Sequence, residues 1–122
     1  MGQKVLIVED EPNITASLVF LLDREGFEVT VEADGAAAMG QIETAEPDLV
    51  ILDVMLPNVS GFDILRHLRA HPALGRTPVM MLTAKGQSRD RERAEELGAD
   101  RFVTKPYSNR EIIEWARQLA AI

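Results

Sequence analysis

The stretch Asp48-Leu49-Val50-Ile51-Leu52-Asp53-Val54-Met55-Leu56-Pro57 constrains the fold of this chain more than any other. Four large apolar residues run without a polar interruption, whereas a half-solvated strand would alternate. Such a run suits a strand buried on both faces, which is the situation of a parallel sheet covered by helices. Asp53 then stands where the strand leaves the core. In open parallel sheets that end is where ligands bind and chemistry occurs. On its own, Asp53 reads equally as a nucleophile, a metal ligand or a helix cap.

The neighbouring segments repeat the theme. Val5 to Val8 is a short apolar run ending at Glu9-Asp10-Glu11-Pro12, and Pro12 suits the first turn of a helix. Ile14, Leu18, Leu21 and Leu22 keep helical spacing until Gly26. Phe27 to Val31 predicts a second strand, and Asp34-Gly35 opens an alanine-rich helix through about Glu43. Phe62, Leu65 and Leu68 mark a helix ending near His71-Pro72. Val79 to Leu82 predicts a strand ending at Thr83, followed by a polar helix from a Ser88 cap to Gly98. Arg101 to Val103 predicts a fifth strand, ending at Thr104-Lys105-Pro106. Ser108 and Glu111 form a capping box for a last helix whose Ile112, Ala116 and Leu119 face inward.

Five strands alternating with five helices predict an α/β fold: a (βα)5 doubly wound, five-stranded parallel sheet with right-handed crossovers and helices on both faces. The 122 residues suffice for one domain with a sizeable core, so residues 1–122 are read as a single unit. The chain stops where its last helix stops, and no segment is expected to be an output domain. A net charge of −7 argues against direct nucleic-acid binding, which requires clustered Lys and Arg. The absence of cysteine fits a reducing compartment. No apolar run reaches the roughly 20 residues of a membrane span, and no signal peptide precedes Val5. Gly2 raises N-myristoylation, but Leu6 stands where that motif wants Ser or Thr. The expected location is the cytoplasm.

The strand ends carry Glu9, Asp10, Asp53, Thr83 and Lys105. Singly, each has a structural explanation: helix-start acids, a turn cap, a strand end, a solvated lysine. Together they make one rim with a specific chemistry. Clustered carboxylates repel unless a cation binds or one takes a proton. Hard oxygens suit Mg²⁺. A carboxylate beside that ion can attack phosphorus and form an aspartyl phosphate, with Lys105 and the Thr83 hydroxyl available to the phosphoryl oxygens.

Val8-Glu9-Asp10-Glu11, Leu52-Asp53-Val54-Met55-Leu56-Pro57 with Gly61, Leu82-Thr83-Ala84 and Lys105-Pro106-Tyr107 resemble the receiver domain of bacterial two-component response regulators, along essentially the whole chain. The resemblance implies a flavodoxin-like strand order, 2-1-3-4-5. It implies Asp53 as phosphoacceptor, with the phosphoryl group arriving from a phosphohistidine on a sensor histidine kinase or a histidine phosphotransfer protein. Glu9, Asp10, Asp53 and the Met55 backbone carbonyl would hold Mg²⁺. Lys105 would contact the phosphoryl group and the Asp53 carboxylate. Thr83 would swing inward, Phe102 would follow as the aromatic switch, and small Ala84 would keep the approach to Asp53 open. Lys105–Pro106 would be cis.

Some positions depart from the family pattern. Phe102 lacks the hydroxyl of the tyrosine often found there, so its switching is expected to work by packing. Met55 and Lys85 flank the path of attacking water, and apolar Met55 cannot orient it, which favours a long-lived phosphoryl group. Gly98-Ala99-Asp100 resembles receivers that dimerise through helix four, strand five and helix five. Arg101 and Trp115, however, replace residues of that interface's salt bridges. Trp115, the single tryptophan, either lies in the core, three residues after Ile112, or, as its amphipathic ring favours, half exposed on that face. Arg101 and Trp115 are therefore expected at a surface for an effector, an output domain, or a second copy after phosphorylation.

Other readings fare worse. His67 and His71 have metal-ligand spacing but no apparent third ligand, and read better as polar residues at a helix end. Gln87 to Glu96 reads as a solvated, mixed-charge helix face, with a shift on phosphorylation as a second expectation because it follows Thr83 closely. An aspartate-nucleophile phosphatase wants a second aspartate where Met55 stands. A flavodoxin-type cofactor module wants a hydroxyl- or glycine-rich loop where Glu9-Asp10-Glu11 stands.

Overall fold

The computed structural model describes residues 2–84 and 88–121, with only the backbone of Ser88. Lys85, the side-chain cap at Ser88 and Gln87 at the head of the charged run fall outside the described residues. The elements alternate without exception: β1 (Lys4–Val8), α1 (Pro12–Arg24), β2 (Glu28–Glu32), α2 (Gly35–Ala45), β3 (Leu49–Asp53), α3 (Gly61–Ala70), β4 (Val79–Ala84), α4 (Ser88–Leu97), β5 (Arg101–Lys105) and α5 (Asn109–Ala120). The five strands form one parallel sheet in the order β2-β1-β3-β4-β5.

β3 is the central strand, and every one of its five residues is buried. Successive side chains point to opposite faces of a strand, so the apolar run feeds two cores. Leu49 and Ile51 join Val5, Ile7, Met80 and Leu82 beneath Leu18 and Leu22 of α1 and Ile112, Ala116 and Leu119 of α5. Val50 and Leu52 join Leu6, Val8, Val79 and Met81 beneath Ala38 and Ile42 of α2, Phe62, Leu65 and Leu68 of α3, and Ala94 of α4. The uninterrupted hydrophobicity of β3 thus reflects two helical layers, α1 and α5 on one side and α2, α3 and α4 on the other.

The helix ends follow local chemistry. Pro12 opens α1, and the Glu11 carboxylate accepts from the Ile14 N–H. Asp34 and Ser60 cap α2 and α3. Gly26 and Gly98 adopt φ of +92° and +94° after α1 and α4, a conformation costly for other residues. Gly61 serves a close approach instead. A Cβ there would stand 2.1 Å from the Asp53 carbonyl oxygen, so only glycine lets α3 start against the end of β3.

Three expectations need correction. β4 and β5 extend beyond Thr83 and Val103, because their ladder continues through Thr83↔Thr104 and Ala84↔Lys105. Backbone pairing carries the strands past the point where apolar patterning ceases. β2 starts one residue later than expected, as Phe27 closes the turn after α1 with its N–H on the Leu22 carbonyl. The capping box of α5 is half made. Ser108 Oγ accepts from the Glu111 N–H at 3.0 Å, while the Glu111 side chain lines a groove with Arg91 and Trp115.

Candidate functional site

Strand order and crossover direction select one place on the sheet. From β1 the chain winds to β2 and then crosses back to β3, so the connections leaving the ends of β1 and β3 diverge and open a crevice between them. Glu9 and Asp10 follow β1 directly, and Asp53 ends β3.

Glu9, Asp53 and Thr83 are the buried polar side chains among the described residues, at 1%, 4% and 2% exposure. All three stand at the carboxyl ends of the three central strands. Burying a carboxylate is costly unless it is paired, and the pairing is visible. Lys105 Nζ lies 3.0 Å from Glu9 Oε1 and 3.3 Å from Asp53 Oδ2. The other oxygen of Glu9 accepts from the N–H groups of Asp10 and Glu11 at 3.0 and 3.2 Å. Asp53 Oδ1 accepts from the Met55 N–H at 3.3 Å. Lys105 reaches this position because β5 runs two residues further than its apolar pattern, and the Lys105–Pro106 bond is cis, as the resemblance implies.

One cation does not balance the acids. Glu9, Asp10 and Asp53 bring carboxylate oxygens within 4.8 Å of one another, with Asp10 exposed to solvent. Burial pushes the Glu9 carboxyl above its ordinary range, and Asp53 beside it adds to the rise, against the pull of Lys105. Burial works against the charge of Lys105, but Glu9 and Asp53 outweigh it and raise the ammonium above its ordinary value. An excess of hard oxygen donors around a partly desolvated pocket is what a divalent cation such as Mg²⁺ satisfies. The donor set fits that ion.

Thr83 is placed differently. Its buried hydroxyl donates to Asp90 Oδ2 on α4, at 3.0 Å, and not toward Asp53. A cavity of about 380 Å³ lies beside Thr83, lined by Val54, Met55, Ser60, Phe62, Thr83, Ala84 and Asp90. Ala84 lies on its lining, and Met55 is 73% exposed beside it. Phe102 is half-buried on β5, with the Arg91 guanidinium 5.2 Å from its ring centroid. Trp115 is half-buried too: it packs on the core beneath α5, while Arg101 lies 4.3 Å over its ring. These two residues make a cation–π contact. Both line a groove of about 320 Å³ with Arg91, Glu95, Asp100 and Glu111.

Sequence reasoning missed Asp90, which lies inside a run that reads as solvated surface. It also missed Arg69, whose guanidinium reaches the Gly98, Gly75 and Thr77 carbonyls and Asp100 Oδ2, tying α3 to the segments around β4 and β5. Neither contact has a local signature. His71 is no metal ligand here: its Nδ1 accepts from the Ala73 and Leu74 N–H groups, and its Nε2 meets Glu43 at 3.2 Å.

Comparison with known proteins agrees with this fold. The family described as response regulator receiver domain matches residues 5–117. The sensory transduction protein RegX3 of Mycobacterium tuberculosis is 50% identical over 109 residues, covering 89% of this chain and 47% of that one. The chain thus spans about half the length of such curated relatives. Among solved structures, a response regulator from Chloroflexus aurantiacus is similar over the full length of both chains, with a TM-score of 0.96 and 31% identity. The receiver domain of the sensor histidine kinase PA1611 from Pseudomonas aeruginosa, with a magnesium ion coordinated in its active site cleft, superposes over the full length of both chains with a TM-score of 0.91 and 30% identity.

Proposed function

The chain belongs to the response regulator receiver family of two-component systems, and from that premise we propose that it is a phosphorylation switch whose acceptor is Asp53. The observation that carries the reading is the set of buried polar groups: two carboxylates and a hydroxyl at the ends of the three central strands, with one lysine bridging both carboxylates.

In the proposed reaction, an Asp53 carboxylate oxygen attacks the phosphorus of a phosphohistidine on a sensor histidine kinase or histidine phosphotransfer protein. The P–N bond breaks as the O–P bond forms, and the imidazole leaves with its electron pair and is neutralised by a proton. Glu9, Asp10, Asp53 and the Met55 backbone carbonyl would hold Mg²⁺, which supplies positive charge to the phosphoryl oxygens. Lys105 holds Asp53 in place, and its ammonium is available to the transferred group. The negative charge placed on Asp53 recruits the Thr83 hydroxyl, and Phe102 repacks behind it. The change shifts a pre-existing equilibrium at the face formed by α4, β5 and α5. Arg101 and Trp115 lie on that face, which we assign to an effector, an output domain or a phosphorylation-dependent second copy. The unit acts as a switch whose chemistry is limited to its own phosphorylation and dephosphorylation. No helix among the described residues is long and apolar enough to cross a membrane, which accords with a cytoplasmic role. Met55 offers water no polar group, so the phosphoryl group should persist for minutes; a half-life of seconds in Mg²⁺ buffer would remove that point.

The test is incubation with acetyl phosphate and Mg²⁺, followed by intact mass. One phosphoryl group should appear, and it should fail to form when EDTA is present from the start and in Asp53→Asn. Modification that survives in Asp53→Asn, or none in the wild-type protein, refutes the assignment.

A further inference from the structure

Of the three buried polar side chains among the described residues, Thr83 is the one bonded to a side chain of α4. Its Oγ1 sits 3.0 Å from Asp90 Oδ2. A hydroxyl carries a single proton, so while it donates to Asp90 it cannot donate to an anion on Asp53. The next residue of α4, Arg91, covers the Phe102 ring. Consecutive helical residues diverge by about 100°, so one turn of α4 reaches both the end of β4 and the flank of β5. Arg93 lies 4.8 Å over the Phe62 ring and ties the same helix to α3. Thr83, Phe102 and α4 are therefore held in one arrangement by contacts that all originate on α4.

We propose that Asp90 is a positioning residue that competes with the anion on Asp53 for the Thr83 proton, and so sets how readily the switch responds. The proposal rests on Asp53 being the phosphoacceptor. A bond to a carboxylate is stronger than one to a neutral acceptor, so Asp90 is a serious competitor. Whatever it contributes to the present arrangement is given up when Thr83 turns to Asp53. By linkage, removing Asp90 strengthens anion binding by the corresponding factor. A contact that served only to anchor α4 would behave differently: its loss would lower stability and leave anion binding equal or weaker.

Beryllofluoride with Mg²⁺, titrated into the full chain and followed by Trp115 fluorescence or by calorimetry, measures this directly. Asp90→Ala should bind about tenfold more tightly than wild type while melting at a lower temperature. Asp90→Asn keeps a neutral acceptor and should fall between the two, and it serves if the alanine variant does not fold. In a Thr83→Val background, Asp90→Ala should leave the affinity unchanged, because there is no proton to compete for. Unchanged or weaker binding in both Asp90 variants, or equal tightening with and without the Thr83 hydroxyl, overturns the proposal. If wild type and Asp53→Asn alike fail to bind beryllofluoride, the Asp53 assignment itself is wrong, and the role given to Asp90 falls with it.

Discussion

Replacing Asp53 by asparagine should make the metal-free protein more stable, although it removes the group on which the proposed reaction depends. Asp53 lies within 4.8 Å of both the Glu9 and Asp10 carboxylates. With an effective dielectric constant of about 20, each repulsion is worth about 3.5 kcal/mol. One attraction opposes them: Lys105 Nζ, 3.3 Å from Asp53 Oδ2, contributes about 5 kcal/mol on the same footing. The balance favours asparagine by about 2 kcal/mol. Screening at exposed Asp10 reduces the gain, and relief from burying a carboxylate increases it. Lys105 is not orphaned, since Glu9 Oε1 stays 3.0 Å away. For a domain of this size the change corresponds to a rise in Tm of about 6–10 °C. The assay is thermal unfolding by circular dichroism in EDTA at mildly alkaline pH, repeated with excess Mg²⁺. The advantage should shrink or reverse with the cation, which binds the three-carboxylate site of the wild-type protein more strongly. A variant that melts at or below the wild-type temperature in EDTA would refute the view that like charge is concentrated at this rim.

Glu9 gives a pH signature with a definite sign. Burial and Asp53 raise its pKa above the ordinary 4.5, so the folded protein holds that proton more tightly than the unfolded chain. The stabilisation is fully present below about pH 4.5 and is lost as pH rises through the raised folded value. Glu9→Gln should flatten this part of a Mg²⁺-free stability–pH curve, and an unchanged slope would contradict the assignment. Arg69→Ala removes four hydrogen bonds to backbone and Asp100 acceptors and should cost about 2–4 kcal/mol in urea unfolding; a loss below half of that would mean water replaces the clamp. Gly61→Ala forces a Cβ against the Asp53 carbonyl oxygen. It should cost about 2–3 kcal/mol and slow acetyl phosphate modification, whereas a variant equal to wild type in both would show that the α3 start can yield.

The sheet and its rim were legible because both are written in short stretches of sequence. The run from Leu49 to Leu52 has no partial solvation to accommodate, so its hydrophobicity is unbroken and its burial is complete on both faces. Glu9, Asp53 and Thr83 break such runs at their carboxyl ends, and in a parallel sheet those ends are necessarily neighbours. Trp115 was legible only to the level of a boundary residue, since helical spacing gives its face but not what covers it. Its cover is Arg101, one strand away. The extension of β4 past Thr83 to Ala84 was hidden because β-ladder hydrogen bonds join backbone groups and leave no trace in side-chain polarity.

Asp90 shows where local reading fails for a physical reason and not for want of signal. In sequence it belongs to Ser88-Arg89-Asp90-Arg91-Glu92-Arg93, a helical start with alternating charge, and every residue of that run has a satisfactory life in water. What distinguishes Asp90 is that Thr83, seven residues earlier, is buried at the end of β4 and needs an acceptor for its proton. The need belongs to the strand and the supply to the helix that follows it, and only the fold brings the two together. The rim residues could be found because one sheet aligns them. Asp90 reaches the same rim from the helical layer.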